Sequence, residues 1–350
     1  MNTILPDWPI FGLGDDARPA LLAARRAGKA CALATIVGLD GGGPRPVGAQ
    51  MVIGEGLLSG FLSGGCLEAD VAGHADACLA DGAPRRLVYG AGSPWPDIRL
   101  LCGARIEILV EKIAPEDAAV ARLIALRDAR APATWISDGR RRLCAPPGEA
   151  PAAWNNAFQR LYEPVPKLVV LGADPTALAI AWLGAQSGFE TTLVRPKGPE
   201  TPPPFDVAYR RDAPAEALAG IGLDRWTAVA VATHELEADQ AALVAALPSN
   251  AFYVGALGAR RRAADRSALL RAAGVGEADI ARLRTPIGLA IGGKAPWEVA
   301  ISVLGEITAE RYARASGSAS TSPPAATAGA PAARRTRASA LANTETSDES

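Results

Sequence analysis

Histidine is nearly missing from this chain: 350 residues contain only His74 and His234. Two are too few for a histidine-built metal centre. An excess of one charge is missing as well. Thirty-six Lys and Arg stand against 37 Asp and Glu, a formal net charge of -1. That balance selects neither nucleic acid nor an anionic membrane surface as a partner. No uninterrupted apolar run reaches spanning length, and the start, MNTILPDWPIFGLGDDARP, has no basic segment followed by a long apolar one. The expectation is a cytoplasmic protein. C-x-x-C is absent too: Cys31, Cys66, Cys78, Cys102 and Cys144 are widely spaced and odd in number. This argues against a disulfide framework and a zinc ribbon and leaves thiol chemistry. Neither G-x-S-x-G nor the zinc-deaminase pattern occurs.

What is present is an ordinary soluble balance, 49% hydrophobic and 21% charged, at a length that suits two domains. CALATIVGL (31–39) reads as a buried strand and QMVIGEG (50–56) as its partner, with the turn DGGGPRPVG between them. RRLVYG and RIEILVEKI add strands, a helix follows from Pro115 to about Arg130, and a hairpin near TWISDGRRRLC closes the domain. Residues 145–166, rich in Pro, Ala and Asn, read as a linker. From Lys167 strands and helices alternate strictly: KLVVLGAD, a helix from Pro175, ETTLVRP, DVAYRRD, a helix from Pro214, TAVAVATH, a helix from Glu237, and AFYVGALG. A last helix is expected over 296–313, where Ala300, Val303, Leu304 and Ile307 share one stripe.

The fold class expected is α/β: an N-terminal mixed α/β domain (1–144), the linker, and a Rossmann-like doubly wound parallel-sheet domain (167–314). The Ala-, Ser-, Thr- and Pro-rich stretch 315–350 has no apolar period and is expected to be disordered.

The stretch GFLSGGCLEADV (60–71) sets Gly64 and Gly65 before Cys66, where an apolar run gives way to a helical pattern. Glycines leave a thiol uncovered, and the unpaired N–H groups of a helix start favour thiolate. With Gly65 as N-cap, Glu68 falls at N3 and either reaches back as in a capping box or serves the site; its charge opposes the thiolate. On this helix Leu67, Val71, His74, Cys78 and Leu79 share a stripe, which makes Cys78 core packing. Cys31 reads as inert in its strand. Cys102, with Gly103 after it, stands after a loop and is a candidate to approach a ligand or Cys66.

The second domain carries a nucleotide-like loop, Gly172, Ala173, Asp174, Pro175, with Asp174 where a second glycine would let a pyrophosphate approach. Asp174 is either a helix cap on a decayed site or part of an altered one. About 20 residues on, the acidic ribose partner is replaced by Arg195, which suits an extra phosphate, as on NADP or a phosphorylated pterin. His234 ends the strand TAVAVATH, either orienting a ligand or shuttling a proton, or as a structural group. GALGARRRAADR places Gly255 and Gly258 before a helix whose first turn holds Arg260, Arg261 and Arg262; cations there call for an anion or form a solvated face.

These motifs together resemble the XdhC/CoxI family of xanthine dehydrogenase accessory proteins. GGGPRPVGAQMVI, SGGCLEADV and CGARIEILVEK carry the likeness in the first domain. KLVVLGADPTALA, VATHELEAD, FYVGALGARR and TPIGLAIGGKAPWEVAISVLGEI follow in register in the second. Departures stand at Asp174, Arg195, Ala259, Ala104 and Ala290. The resemblance implies a chaperone, not a turnover enzyme, that binds molybdenum cofactor (molybdopterin or its nucleotide form) transiently. It implies sulfuration of the cofactor by a cysteine desulfurase and delivery to an apo molybdenum hydroxylase. The family's cofactor-linked cysteine falls on Cys66, expected to contact the molybdenum or its exchangeable sulfur, and its ligand-facing glycines on Gly64 and Gly65. Ser63 and Glu68 join them as candidates, with Arg45 and Arg195 as phosphate partners; a homodimer is left open. An NADP-dependent oxidoreductase is the alternative.

Overall fold

The computed structural model describes residues 3–65, 67–91, 93, 105–233 and 235–315, with the backbone alone at 315. Expectations for Cys66, Cys102, Gly103, His234 and the tail beyond 315 fall outside the described residues.

In the first half, α1 (Arg18–Arg26) leads into β1 (Cys31–Asp40), β2 (Gln50–Gly54) and β3 (Leu57–Gly60). After α2 (Glu68–Asp81) come β4 (Arg85–Gly90), β5 (Arg105–Ile113) and α3 (Ala118–Asp128). The five strands form an antiparallel sheet in the order β3-β2-β1-β5-β4. Side chains alternate along β1: Ala32, Ala34 and Ile36 point to the face that α2 covers with Val71, Ala75 and Cys78. Cys31 and Leu33 point to the other face, covered by α1 and α3 through Leu21, Val120 and Leu123. Both faces are thus covered, which is why CALATIVGL reads as a continuous apolar run.

β6 (Ala133–Ser137) and β7 (Arg142–Ala145) form the expected hairpin. The stretch expected to be a plain linker contains a further strand, β8 (Phe158–Tyr162), which pairs antiparallel with β6. Its inward residues are Phe158, Arg160 and Tyr162; the Tyr162 hydroxyl donates to the Gln50 side-chain oxygen at 2.7 Å and its guanidinium neighbour Arg160 reaches the Gly48 carbonyl. With a charged residue between the two aromatic ones on its inward side, this strand has little sequence signature.

The second half is built from β9 (Lys167–Gly172), α4 (Pro175–Gln186), β10 (Glu190–Val194), β11 (Ala208–Arg210), α5 (Pro214–Ile221) and β12 (Thr227–Ala232). It continues with α6 (Leu236–Ala246), β13 (Tyr253–Ala256), α7 (Ala263–Ala272), α8 (Glu277–Ile280), β14 (Leu283–Arg284) and α9 (Pro296–Ala315). All six strands are parallel, in the order β11-β10-β9-β12-β13-β14. This is the doubly wound dinucleotide-fold order, with its reversal between β9 and β12. Leu168, Val170, Ala228 and Ala230 face α4 and α9, and Val169, Leu171, Val229 and Val231 face α5 and α6. Ala300, Val303, Leu304 and Ile307 of α9 are all buried, as their spacing predicts. Each of the three larger ones contributes roughly 1.5–3 kcal/mol.

Arg130, just past α3, ties the halves together. In the left-handed region at φ 51°, it donates from Nε to Asp224 and from Nη1 to Glu190, each at 2.8 Å, and to the Val165 carbonyl at 3.1 Å.

Candidate functional site

The candidates of the first half sit on the connection between β3 and α2. Gly60 ends β3 at φ 92°, and a Cβ there would lie 2.2 Å from the Gln50 carbonyl oxygen, so the chain passes its neighbour only as glycine. The loop then closes around the carboxylate of Glu68. Oε1 accepts from the Leu62 and Ser63 N–H groups at 3.0 and 2.7 Å. Oε2 accepts from the Ser63 hydroxyl at 2.7 Å and from the Gly65 and Leu67 N–H groups at 3.0 and 3.3 Å. Glu68 is 1% exposed. Burial alone would push its pKa up, but the Ser63 hydroxyl and the Ser63 and Leu62 N–H groups outweigh it and hold the carboxyl below the usual range.

The helix therefore starts later than its pattern suggests. α2 begins at Glu68 with Leu67 as N-cap, and the expected capping-box bond from Gly65 is one of five bonds to the same carboxylate. A carboxylate that gathers four N–H groups holds Leu62, Ser63, Gly65 and Leu67 outside the helix. The Gly65 and Leu67 N–H groups are both taken up by this carboxylate. Ser63 is turned inward, its oxygen also accepting from the Leu67 N–H at 3.1 Å. Gly64 and Gly65 face outward: a Cβ on either would meet nothing within 4 Å, and Gly65 has φ 98°.

Arg45, on the β1–β2 connection, pairs with Asp15, while its Nε is buried without an acceptor among the described residues. On α2, His74 Nε2 lies 3.6 Å from Asp70, whose carboxylate accepts from the Tyr89 hydroxyl at 2.5 Å. Cys31, Cys78 and Cys144 are buried. Burial pushes the Cys31 thiol up to about 12 against the pull of Arg142, and the Cys144 thiol up to about 11 against that of Arg122.

The second group lines the carboxyl edge of the parallel sheet. At Gly172 a Cβ would lie 2.4 Å from the Ala232 carbonyl oxygen and 2.5 Å from the Ala177 Cβ, which is why β9 ends in glycine there. Asp174 is the N-cap of α4, accepting from the Ala177 N–H at 2.8 Å with Pro175 at N1, so the capping role is real. Arg195 follows β10, half-buried and without an ion pair among the described residues. Gly255 packs under Ile287, and Gly258, at φ 149°, lies under the Arg266 guanidinium. Arg260, Arg261 and Arg262 are exposed, on a separate 3-10 turn, and α7 starts only at Ala263. The turn runs directly into the helix with Arg262 as its N-cap, so the three cations still stand at the positive end of the α7 dipole, just ahead of its first turn.

Sequence reasoning missed the pair that organises this edge. Arg266 donates from Nη2 to Asp239 at 3.1 Å and to the Leu257 carbonyl at 2.9 Å, and from Nη1 to the Thr285 hydroxyl at 2.9 Å. The Thr233 hydroxyl donates to the other Asp239 oxygen at 2.6 Å. Three loops are joined, yet nothing in RRRAADR distinguishes Arg266 from its solvated neighbours. Cavities of about 420 Å³ by Trp154 and Arg141 and about 470 Å³ by Lys167 and Asp206 contain none of the residues that the sequence singled out. Among the described residues no group of three or more His, Cys, Asp or Glu is placed to hold a metal ion, and no helix is long and apolar enough to cross a membrane.

Comparison with known proteins gives two family matches: residues 24–90 match the XdhC and CoxI family, and residues 168–307 match the XdhC Rossmann domain. The molybdenum cofactor insertion chaperone PaoD of Escherichia coli is 33% identical over 304 residues, 85% of this chain and 90% of that one. A probable xanthine dehydrogenase subunit of Bacillus subtilis is 26% identical over 328 residues, 80% of this chain and 92% of its own length. Among solved structures, one described as a xanthine dehydrogenase from Bacillus halodurans shares the fold, with a TM-score of 0.70 at 23% identity, over 87% of this chain and 98% of that one.

Proposed function

Because the chain belongs to the XdhC and CoxI family, we propose that it is a molybdenum cofactor chaperone. It takes up a molybdopterin-type cofactor as cargo, shields it while a cysteine desulfurase supplies the terminal sulfur, and delivers it to an apo molybdenum hydroxylase of the xanthine dehydrogenase type. The observation that carries this reading is the β3–α2 loop, whose backbone is tied to one buried carboxylate while Gly64 and Gly65 keep the space before position 66 open. A loop tied down this way pre-pays the ordering of the residues that flank position 66 in the sequence, and a soft molybdenum dithiolene suits the thiol that the sequence places there. The phosphate end of the cargo suits guanidinium groups. Among the described residues Arg45 offers a buried Nε that lacks an acceptor, and Arg195 stands at the sheet edge without an ion pair.

The chain's own residues bind, orient and release; no bond of the pterin is made or broken by them. NADP-dependent hydride transfer gains support from the strand order and Arg195, but Asp174 puts a carboxylate where the pyrophosphate would lie. The test is to load purified protein with cofactor and measure reactivation of an apo-hydroxylase. Parent protein is expected to restore activity, and Cys66→Ala to retain and transfer at least tenfold less. Undiminished transfer by Cys66→Ala removes the thiol from the mechanism. Saturable NADPH binding with consumption of a small carbonyl compound replaces the chaperone reading by the oxidoreductase one.

A further inference from the structure

The first residues of the chain form an arm fastened at four points. The Thr3 N–H and hydroxyl donate to the Asp76 carboxylate at 2.6 and 2.7 Å. Leu5 and Phe11 pack against the core beneath α2. Gly12 passes the Phe61 ring so closely that a Cβ would lie 3.1 Å from it, and Asp15 pairs with Arg45. An arm held this firmly still turns its largest side chains outward: Ile4 is 84% exposed, Trp8 79%, Ile10 71% and Leu13 84%.

Within ten residues these four expose roughly 500 Å² of apolar surface in sum. Folding does not account for them, because the anchoring is done by other residues. We propose that residues 4–13 are the docking surface for the client protein that receives the cargo, an inference that rests on the chaperone reading. Position decides the partner first. Phe61, against which the arm packs, opens the loop that carries Gly64, Gly65 and Cys66, so a protein collecting cargo from that loop must come against the arm. Area decides next: about 500 Å² falls short of the roughly 800 Å² per partner of a stable complex and suits a partner that arrives and leaves rather than a second copy of this chain. Charge then argues against a bilayer. Residues 1–17 contain Asp7, Asp15 and Asp16 and no Lys or Arg, the opposite of what an anionic membrane surface attracts.

The experiment uses the full chain and the variant Trp8→Ser/Ile10→Ser/Leu13→Ser, whose altered side chains anchor nothing. Retained pterin is read by fluorescence after oxidation, and affinity for a purified apo-hydroxylase of the xanthine dehydrogenase type by titration. The expected result is pterin retention within twofold of the parent, an unchanged thermal midpoint, and at least tenfold weaker client binding. Client binding within twofold of the parent overturns the inference while leaving the chaperone reading intact. A variant that loses self-association, or binding to phosphatidylserine vesicles, in place of client binding also overturns it. A parent chain that retains no pterin and binds no client overturns the chaperone reading and the docking surface with it.

Discussion

The Ser63 hydroxyl donates to Glu68 Oε2 at 2.7 Å while the same residue's N–H donates to Oε1 at 2.7 Å, so one serine grips both oxygens of a buried carboxylate. The loop before α2 takes its shape from that grip.

Glu68→Ala should lower the unfolding free energy by about 2–4 kcal/mol, since it leaves buried N–H groups without acceptors, and Ser63→Ala by about 1–2 kcal/mol. Urea unfolding measures both. The pH dependence follows from the lowered carboxyl pKa. Its stabilising contribution is fully present above the ordinary glutamate range and is lost as pH falls through the lower folded-state value. The gap in stability between parent and Glu68→Gln should therefore hold steady from neutral pH to about pH 5 and narrow below about pH 4. A gap that widens on acidification would contradict the assignment.

Thiol accessibility gives a second prediction. Cys31, Cys78 and Cys144 are buried, with raised pKa values that keep them as thiols. Ellman's reagent at about pH 8 should therefore leave these three unmodified until denaturant is added, as mapped by mass spectrometry of the peptides.

The junction at Arg130 is testable through its unusual backbone. Arg130→Ala removes the bonds to Asp224 and Glu190 and keeps a side chain in the left-handed region, whereas Arg130→Gly removes the bonds and relieves the backbone. Both should make the segment around residues 163–166 more sensitive to limited proteolysis. The glycine variant should be more stable than the alanine variant by about 1 kcal/mol.

At the sheet edge, Arg266→Ala should destabilise by about 3 kcal/mol, because it removes the paired cation from a carboxylate held away from solvent. Adding Asp239→Asn should recover part of that loss. Denaturant midpoints of the two single variants and the double variant measure the coupling, and strict additivity would show that the pair is not a unit.

Much of the fold was legible along the chain. The stripe Ala300, Val303, Leu304 and Ile307 and the alternation from Lys167 onward are repeats of period 3.6 and 2, which a helix or strand imposes on its own neighbours. Within the candidate site, the glycines and Glu68 could be picked out because a glycine pair before a cysteine and an acid three residues after a glycine are local patterns. The carboxylate's five partners could not, since one capping bond and a whole loop wrapped round the acid have the same sequence.

By itself, then, the sequence determined the α/β order of elements, the parallel doubly wound half, the cap at Asp174 and the family motifs. All of these rest on residues within a few positions of one another. Only the tertiary structure decided that β8 joins β6, that Arg266 and Asp239 clasp three loops, and that Arg130 finds Asp224 94 positions away. It also decided that the opening arm lies along the β3–α2 loop with its apolar side chains turned out. Such partners are chosen by which surfaces meet once the core has closed, and no local period encodes that.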